Sequence, residues 1–404
     1  MTGRTPRRRP WHGRDEQNGA ARDEERRGAH GRPAWRRASV ALVVPLLLAM
    51  SACADKAPLT TLKPKGHESQ TIQNLVGPVF LIAGIVFVLV QGGVLFLAFK
   101  FRKRKDDDGS LPEQVHGNFK LEIGWTILPA LLLAGVGAAS VFTLLDLSET
   151  PKNAEAVTVI GQQWWWEYRY DVDKDGKDDI VTANDLVIPA GKPIALTITS
   201  RDVIHSFWIP ALNGKRDAVP GRRHPLTIEA DHPGVYRGQC TEFCGLSHAY
   251  MRMRVVALSP ADYAAWQENQ LKGAQVPTDP TANEGMKVFR TTCSGCHMVR
   301  GPGGNEDLYN GTAQVSGAAP NLTHFASRGV FAGSVFDLWV DTNGNNEVDI
   351  DELGGKFNIA DLKAWLRNPP GQKPMYPQGS RGMPNLQLTE TQIDQLVAYL
   401  ETLK

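Results

Sequence analysis

The sequence predicts a multi-domain membrane protein with three parts: a two-helix transmembrane hairpin, an all-β Greek-key domain and an all-α domain. Three observations predict this fold class. Two apolar runs of about 24 residues each are long enough to cross a bilayer as helices. A β-rich region with frequent turn residues follows them, and the C-terminal region shows helical periodicity. At 404 residues, the chain is long enough for two or three domains.

The two predicted spans are Val76–Phe99 and Ile123–Leu147, which together define a hairpin over residues 76–147. A buried helix of a soluble protein is the alternative, but such helices are usually shorter. Basic residues crowd directly after the first span, in the run Lys-Phe-Arg-Lys-Arg-Lys that begins at Lys100. The positive-inside rule therefore predicts that the loop between the spans is cytoplasmic. Everything after the second span is then expected to face the outside.

The N-terminal region predicts a secretory leader. Residues 1–38 are polar and Arg-rich, and the apolar run that follows ends in Ser-Ala before Cys53. This arrangement resembles a bacterial lipobox, with cleavage before Cys53 and its lipidation, although Met replaces the usual Leu three places upstream. An uncleaved apolar segment is the alternative. We predict a leader and lipoprotein-type signal peptide over 1–52 and an extracytoplasmic segment over 53–75.

Short β-rich runs separated by Gly, Pro and Asp clusters extend from about residue 157 to residue 258. Such spacing indicates a Greek-key β-sandwich or barrel. Residues 259–280 contain a helical patch between two prolines and are predicted to form a linker. The predicted strands are Val157–Ile160, Trp164–Tyr170, Leu186–Pro189, Ile194–Ser200, Leu226–Glu229 and Met251–Ala257.

Residues 240–251 carry the richest metal-binding pattern. Within twelve positions they place two thiols, an imidazole and a thioether, from Cys240, Cys244, His248 and Met251. Sulfur and imidazole ligands favour copper or zinc over magnesium or calcium, and a weak axial Met is typical of electron-transfer copper. Structural zinc uses Cys and His ligands, so a zinc site or a disulfide pair would leave Met251 without a role.

These residues, together with His205 and the segment Lys-Arg-Asp-Ala-Val-Pro-Gly-Arg at 215–222, resemble the binuclear copper A domain of cytochrome c oxidase subunit II. The resemblance implies a cupredoxin-like domain over 148–258 and two copper ions bridged by two thiolates. It also implies magnesium at the interface with the large subunit, from the Glu242 side chain with help from Asp217. The copper ligands that it implies are His205, Cys240, the Glu242 backbone carbonyl, Cys244, His248 and Met251.

Two further stretches resemble the same family. Residues 121–129 are similar to the start of its second helix, where the carboxylate matching Glu122 lies at the entrance of a proton pathway. A solvated carboxylate at a helix start is the alternative. The stretch Gln-Trp-Trp-Trp-Glu-Tyr resembles the aromatic segment beside the copper, which implies that Trp164 is the surface ring through which electrons enter.

Three adjacent tryptophans also carry an expectation of their own. Because side chains alternate between the two faces of a strand, at least one of them is expected to be exposed or to lie against a neighbouring subunit. Packing in the core or at the membrane interface is the alternative, and we prefer it for Trp165 and Trp166.

A second redox motif lies in the C-terminal region. Cys293-Ser-Gly-Cys296-His297 is the haem c attachment motif, in which two thiols bond the porphyrin and the next imidazole binds the iron. A redox Cys-x-x-Cys pair is the alternative. Residues 281–404 are similar to a class I cytochrome c, and the resemblance implies an all-α cytochrome c domain.

The sixth iron ligand of such a haem is expected to be a Met. Met298 adjoins the proximal His297 and cannot reach the opposite face of the haem. Met383 precedes a C-terminal stretch with helical periodicity and a Thr389 cap, which is where cytochromes c carry this ligand. We therefore predict Met383, with Met375 as its competitor.

Two acidic loops have spacings that partly match a calcium loop. The loop that begins at Asp171 has the opening Asp-x-Asp-x-Asp-Gly pattern, but Thr182 stands where the bidentate Glu belongs. The second loop ends correctly in Glu but has Asn346 at the position of the usual Gly. Polar surface turns are the alternative for both. The candidate calcium ligands of the second loop are Asp341, Asn343, Asn345, Glu347 and Glu352.

Together, the resemblances imply the electron-receiving subunit of a respiratory cytochrome c oxidase in a bacterial plasma membrane, with both redox domains outside. Electrons would pass from haem c to copper A and on to a large catalytic subunit that reduces oxygen to water with proton translocation. Expected partners are that subunit and further oxidase subunits, a cytochrome c or cytochrome bc complex as donor, and membrane lipid. The net charge of +1 gives no argument for nucleic acid.

Three other functions compete with this interpretation. A copper A-containing nitric oxide reductase and a membrane-tethered electron carrier both remain alternatives. A quinol oxidase subunit II would lack the copper ligands that this sequence carries.

Overall fold

The computed structural model describes residues 57, 59–103, 113–301, 319–345, 347–376 and 381–404. The predicted signal peptide, Cys53 and Asn346 lie outside the described residues. Within them, the chain runs from an apolar helical hairpin through a two-sheet domain into a helical C-terminal region.

The hairpin consists of helices α1 (His67–Lys100) and α2 (Phe119–Ser148). Both are long and apolar enough to cross a membrane, which confirms the two predicted apolar helices. The Asn118 side chain caps α2 by accepting hydrogen bonds from the backbone of Lys120 and Leu121.

Helix α1 begins before the predicted span because its first turn is attached to the sheet domain. The Ser69 backbone N–H donates to the Leu212 carbonyl at 3.1 Å, and the Ser69 hydroxyl donates to the Ala211 carbonyl at 2.8 Å. These bonds hold the end of the helix on the loop that follows strand β6 of the sheet domain.

The sheet domain contains two main sheets. The first has the strand order β3-β2-β1-β5-β8 and the second the order β4-β10-β9, while β6 and β7 form a separate pair. This arrangement is consistent with the predicted cupredoxin-like domain. The strands are β1 Glu155–Gln162, β2 Trp165–Tyr170, β3 Ile180–Ala183, β4 Asp185–Pro189, β5 Ile194–Ser200, β6 His205–Phe207, β7 Arg216–Ala218, β8 His224–Ile228, β9 Gly234–Gln239 and β10 Arg252–Leu258.

A single core lies between the two sheets. On β5, alternate residues Ile194, Leu196 and Ile198 are buried, as the period of a strand requires. They share one cluster with Leu186 and Val255 from the opposite sheet. The loops at the ends of the strands are thereby fixed relative to one another.

The C-terminal region has its own helices and a second core. Helix α3 falls in the predicted linker and packs its Tyr263 against Val187 and Val256 of the sheet domain. The predicted Thr389 cap is confirmed, since its hydroxyl accepts a hydrogen bond from the Gln392 backbone. The elements are α3 Pro260–Gln270, α4 Pro280–Thr292, β11 Val330–Phe331, β12 Phe336–Asp337, α5 Ile359–Arg367, α6 Pro369–Gln372 and α7 Glu390–Leu400.

A buried ion pair of the sheet domain is hydrogen-bonded to the C-terminal region. Arg254 on β10 donates to both oxygens of Asp185 on β4, at 2.9 and 3.2 Å. The Gly329 backbone N–H also donates to Asp185, at 2.6 Å. The two charged side chains are only 1% and 4% exposed, so neither is hydrated if its partner is removed.

We predict that Arg254→Met lowers the free energy of unfolding by about 3 kcal/mol or more, because it leaves the Asp185 charge buried without its cation. Denaturant titration measures the change. Arg237→Met is the control, since Arg237 pairs at 3.5 Å with the exposed Glu347 and its loss should cost less than about 1 kcal/mol. Equal losses in the two variants would contradict the prediction.

Candidate metal centre

The loop over residues 240–251 closes on itself between β9 and β10. These strands are antiparallel, and Gln239 pairs with Arg252 directly beside the loop. The Cys240 backbone N–H donates to the Met251 carbonyl at 2.9 Å, so the first and last residues of the loop are neighbours. A short 3₁₀ turn at His248–Tyr250 completes the loop.

The sulfur atoms of the loop lie close together and out of contact with water. The Cys240 and Cys244 Sγ atoms are 3.9 Å apart, well beyond the ~2 Å of a disulfide bond, and both are free thiols. The Met251 Sδ atom lies 3.8 Å from Cys244 Sγ, and His248 Nδ1 lies 3.5 Å from it. The Glu242 carbonyl oxygen is 3.3 Å from Cys240 Sγ. The loop thus gathers five of the six predicted donors.

His205 supplies the sixth donor from strand β6. One of its ring nitrogens and the two cysteine sulfurs all lie within 4.8 Å of one another. Its Nδ1 atom is buried and has no hydrogen-bonding partner among the described residues, so it is the nitrogen left to bind a metal. Gly161 on β1 makes room for the ring, because a Cβ there would approach the imidazole to 2.7 Å.

Asp202 holds the other nitrogen of this ring. Its Oδ1 lies 2.8 Å from His205 Nε2, and it also accepts from the backbone of Gln163 and Val203. Burial would raise the pKa of Asp202, but these hydrogen bonds together lower it. An ionised carboxylate on the far nitrogen orients a metal-binding imidazole and strengthens it as a ligand.

The two thiols titrate as a pair. The hydrogen bond from Cys244 lowers the pKa of the Cys240 thiol, and the same bond raises the pKa of Cys244. Burial lowers the pKa of His205, but the Asp202 carboxylate and the Cys240 sulfur outweigh it and raise that pKa. The cluster therefore already favours a thiolate at Cys240, which is the form of cysteine that binds metals.

A cavity of about 310 Å³ lies in the C-terminal region, and its wall contains Cys293, Cys296, His297 and Met383. His297 Nδ1 lies 2.8 Å from the Pro320 carbonyl, which leaves Nε2 as the nitrogen to bind a metal. Burial lowers the pKa of His297, so the imidazole is neutral, as ligation requires.

The alternative methionines lie elsewhere. Neither Met298 nor Met375 is in the cavity wall. The Met298 sulfur instead faces the Asn321 amide at 3.8 Å. The structure therefore brings Met383 to the Cys-x-x-Cys-His segment and leaves its competitors outside.

The expectation that one of the three tryptophans is exposed or meets another subunit is wrong. Trp164, Trp165 and Trp166 are 2%, 6% and 0% exposed. Trp164 and Trp166 belong to the core cluster of the sheet domain, and Trp164 and Trp165 line the C-terminal cavity. The C-terminal region therefore covers the side chains that were expected to meet solvent. Trp164 is therefore not a surface ring.

Three further predicted site residues have exposed side chains. Glu122 is exposed in the first turn of α2, where its Oε1 accepts from the Asn118 backbone at 3.3 Å. The Glu242 side chain is also exposed, as is Asp217 on β7. All three side chains are accessible to solvent or to a partner.

The two acidic loops differ in structure. Oxygen atoms of Asp171, Asp173 and Asp179 lie within 4.8 Å of one another. In the second loop, the Glu352 carboxylate accepts hydrogen bonds from Thr342, Asn343 and Asp349, and these bonds hold the pKa of Glu352 at about 2. Glu347 pairs with Arg237. The first loop presents clustered oxygens, whereas the second has its Glu already engaged.

Several residues at the site were not predicted from the sequence. Asp202 could have been predicted, because a carboxylate three residues before a metal-binding His is a plausible partner for its ring. Gln163 donates to the Cys244 carbonyl at 2.6 Å, and Lys373 donates to the Trp164 carbonyl. No sequence signal marks these two, since each bond joins residues that are distant along the chain.

Comparisons with known proteins agree with this architecture. The chain matches the cytochrome c oxidase subunit II transmembrane domain over residues 64–143 and the periplasmic domain of the same subunit over residues 174–258. It is 33% identical over 383 residues to a cytochrome c oxidase subunit 2 of Alkalihalophilus pseudofirmus, covering 92% of this chain and 98% of that protein.

Two further similarities involve a second relative and a solved structure. A cytochrome c oxidase subunit 2 of Bacillus sp. strain PS3 is also 33% identical, over 387 residues, with 92% and 98% covered. The crystal structure of the periplasmic domain of subunit II of cytochrome oxidase of Bradyrhizobium japonicum has 31% identity. It covers 30% of this chain and 96% of that one, with a TM-score of 0.28.

An apolar hairpin and a sheet domain with a buried thiol–imidazole cluster define a membrane-anchored subunit of an oxidoreductase complex. With two relatives matched along almost their whole length, the chain belongs to the cytochrome c oxidase subunit II family. The family implies a copper A centre, and His205, Cys240 and Cys244 form a group that could hold a metal ion.

We predict that Asp202→Asn weakens copper binding by about 10- to 100-fold, because the His205 ring loses the anion that orients it. Competition with a copper chelator measures the affinity. Asp178→Asn is the matched control, since Asp178 pairs at the surface with Arg169 and should bind copper as the unaltered chain does. Unchanged affinity in Asp202→Asn would refute this role.

Proposed function

We propose that this chain is the electron-receiving subunit of a bacterial respiratory cytochrome c oxidase, with a cytochrome c domain fused to subunit II. One observation carries the proposal: Trp164 lies in the wall that holds Cys293, Cys296, His297 and Met383, and its Nε1 donates to the Cys244 carbonyl at 3.0 Å. Two sets of redox-cofactor ligands thus meet on either side of one side chain.

The proposed copper A site uses the six donors gathered at the loop between β9 and β10. Two bridging thiolates, two imidazoles, a thioether and a carbonyl match the soft donor set that copper prefers. The unpartnered Nδ1 of His205 supports the assignment, since a buried polar atom is rarely left without a partner. The ligands are His205, Cys240, the Glu242 carbonyl, Cys244, His248 and Met251.

The proposed haem c is attached through Cys293 and Cys296, with His297 and Met383 as axial ligands. The cavity has a mostly apolar lining, which suits a porphyrin, and the hydrogen bond to the Pro320 carbonyl favours the His297 tautomer that can bind iron. The match to each relative covers 92% of this chain and so extends into residues 281–404, which supports a shared C-terminal domain.

In the proposed function, the protein holds the ligands of two cofactors in fixed positions, and each cofactor would carry one electron at a time. Electrons come from a cytochrome c or a cytochrome bc complex and leave for the large haem–copper subunit, which reduces oxygen to water and translocates protons. The chain is anchored in the plasma membrane by its hairpin, with both redox domains outside.

The domain boundaries of the proposal follow the sequence. They are a leader and lipoprotein-type signal over 1–52, an external segment over 53–75, the hairpin over 76–147, the copper domain over 148–258, a linker over 259–280 and the cytochrome c domain over 281–404.

Three accessory sites belong to the same proposal. Exposed Glu122 is the entrance of a proton pathway shared with the large subunit. The exposed Glu242 side chain, with Asp217, contributes to a magnesium site at that interface. Calcium is proposed for both acidic loops. The clustered oxygens of the Asp171 loop support calcium more strongly there, because in the loop of Asp341, Asn343, Asn345 and Glu347 the Glu352 carboxylate already accepts hydrogen bonds.

Metal and haem analysis of the full chain purified from its membrane tests the proposed function. We expect two coppers and one covalent haem per polypeptide, a seven-line copper paramagnetic signal and a low-spin haem c spectrum. Cys244→Ser should lose the copper signal and keep the haem, because Cys244 is a proposed bridge. Zinc in place of copper, or a chain without covalent haem, would refute the proposal.

We predict that Met383→Leu converts the haem from low-spin to high-spin and lowers its reduction potential, because the thioether ligand is lost. Optical spectra and a redox titration measure both changes. Met375→Leu is the matched control, since Met375 lies outside the cavity wall and its loss should leave both properties unchanged. If Met375→Leu changes both properties and Met383→Leu changes neither, the ligand is Met375.

A further inference from the structure

A short segment of the C-terminal region covers the loop over residues 240–251, which is called the copper loop. This segment, residues 373–376 with the sequence Lys-Pro-Met-Tyr, is called the strap here. The Ser247 hydroxyl of the copper loop donates to the Pro374 carbonyl at 2.5 Å. The Tyr376 ring packs on Trp164 with 5.3 Å between ring centroids. The strap therefore contacts both the metal-binding loop and the indole beside it.

Lys373 binds the other end of the strap to the backbone of Trp164. Its ammonium group donates to the Trp164 carbonyl at 2.5 Å and to the Ala332 carbonyl at 3.0 Å. One of these acceptors belongs to the sheet domain and the other to the C-terminal region. A single side chain thus fixes the position of the Trp164 backbone relative to the C-terminal cavity.

The copper loop is shaped to accept the strap. Gly245 has a φ of +110°, and a Cβ at this position would approach the Tyr376 hydroxyl to 2.5 Å. Any larger residue would push the Tyr376 ring away or distort the loop next to Cys244. Close packing here leaves Trp164 only 2% exposed.

Trp164 connects the two sites through few atoms. Trp164 lines the cavity with Cys296 and His297, and its Nε1 donates to the Cys244 carbonyl. Gln163 lines the same cavity and donates to the same carbonyl. A shift of this indole would lengthen the separation between the cavity and the proposed copper ligand.

The strap is not needed merely to attach the C-terminal region. Arg254 and Asp185 form a separate buried ion pair that Gly329 joins, and Arg300 donates to the Asp179 carbonyl at 3.0 Å. Helix α3 also packs on the sheet domain. Loss of one strap contact should therefore leave the two parts attached.

We propose that Lys373 and Tyr376 are positioning residues that clamp Trp164 between the haem cavity and the copper loop and close it to external electron donors. This inference rests on the proposed function. In the transfer concerned, one electron leaves the reduced haem iron, which becomes ferric, and reduces the oxidised copper pair by one electron; no bond forms or breaks. An external donor must then deliver its electron to the C-terminal domain, because the strap covers Trp164.

Two measurements on the full chain test the strap. Hydroxyl-radical footprinting of the full chain as purified, with its cofactors, reports the accessibility of Trp164 by mass spectrometry. Flash photoreduction of the haem in the loaded chain, followed at the copper absorbance, reports the rate of internal transfer. The variants are Lys373→Met and Tyr376→Leu. The controls are Tyr376→Phe, which keeps the ring, and Lys363→Met, which removes a lysine that pairs with Asp394 away from the strap.

We expect Trp164 labelling to rise several-fold and internal transfer to slow several-fold in both variants, because electron transfer weakens steeply as the path between the two centres lengthens. The controls should match the unaltered chain, and the copper and haem spectra should not change. If either quantity stays within about twofold of the unaltered chain in Tyr376→Leu, the inference is overturned even if Lys373→Met fails to fold. If no electron passes from haem to copper in the unaltered chain, the proposed function is overturned. The accessibility of Trp164 to hydroxyl radicals would then still test whether Lys373 and Tyr376 hold it in place.

Discussion

The close approach of two buried thiols is the constraint on which the rest of the structure depends. Cys240 and Cys244 lie 3.9 Å apart at one end of the two-sheet domain, and the neighbouring elements position the two thiols and the other donors. The β9–β10 hairpin closes the loop, β6 brings in His205, and Asp202 holds the far side of its ring. Two buried sulfurs with imidazole and thioether groups beside them form a donor set of the kind that soft metal ions prefer.

The sequence was most informative where the relevant residues are close together in the chain. Five of the six proposed copper donors lie within twelve residues, and a loop between paired strands brings such residues together automatically. His205 required a family resemblance, since nothing local connects it to the loop. Strand β9 was not predicted, because its Gly, Arg and Gln residues give no apolar alternation and its pairing with β10 defines it.

The C-terminal region shows why the remaining contacts could not be predicted. The bond between Lys373 and Trp164 joins residues 209 positions apart, so no pattern along the chain reveals it. Residues that are distant along the chain cover Trp164, which was expected to be exposed. A haem-attachment motif and a copper motif can each be recognised alone, but their relative placement depends on packing between domains.

X-ray absorption at the copper edge of the metallated chain tests the central claim most directly. We expect nitrogen and sulfur neighbours around each copper and a second copper just beyond them, since both thiolates would bridge one pair of ions. The same neighbours around a solitary ion, with no metal scatterer behind them, would contradict the proposed copper pair.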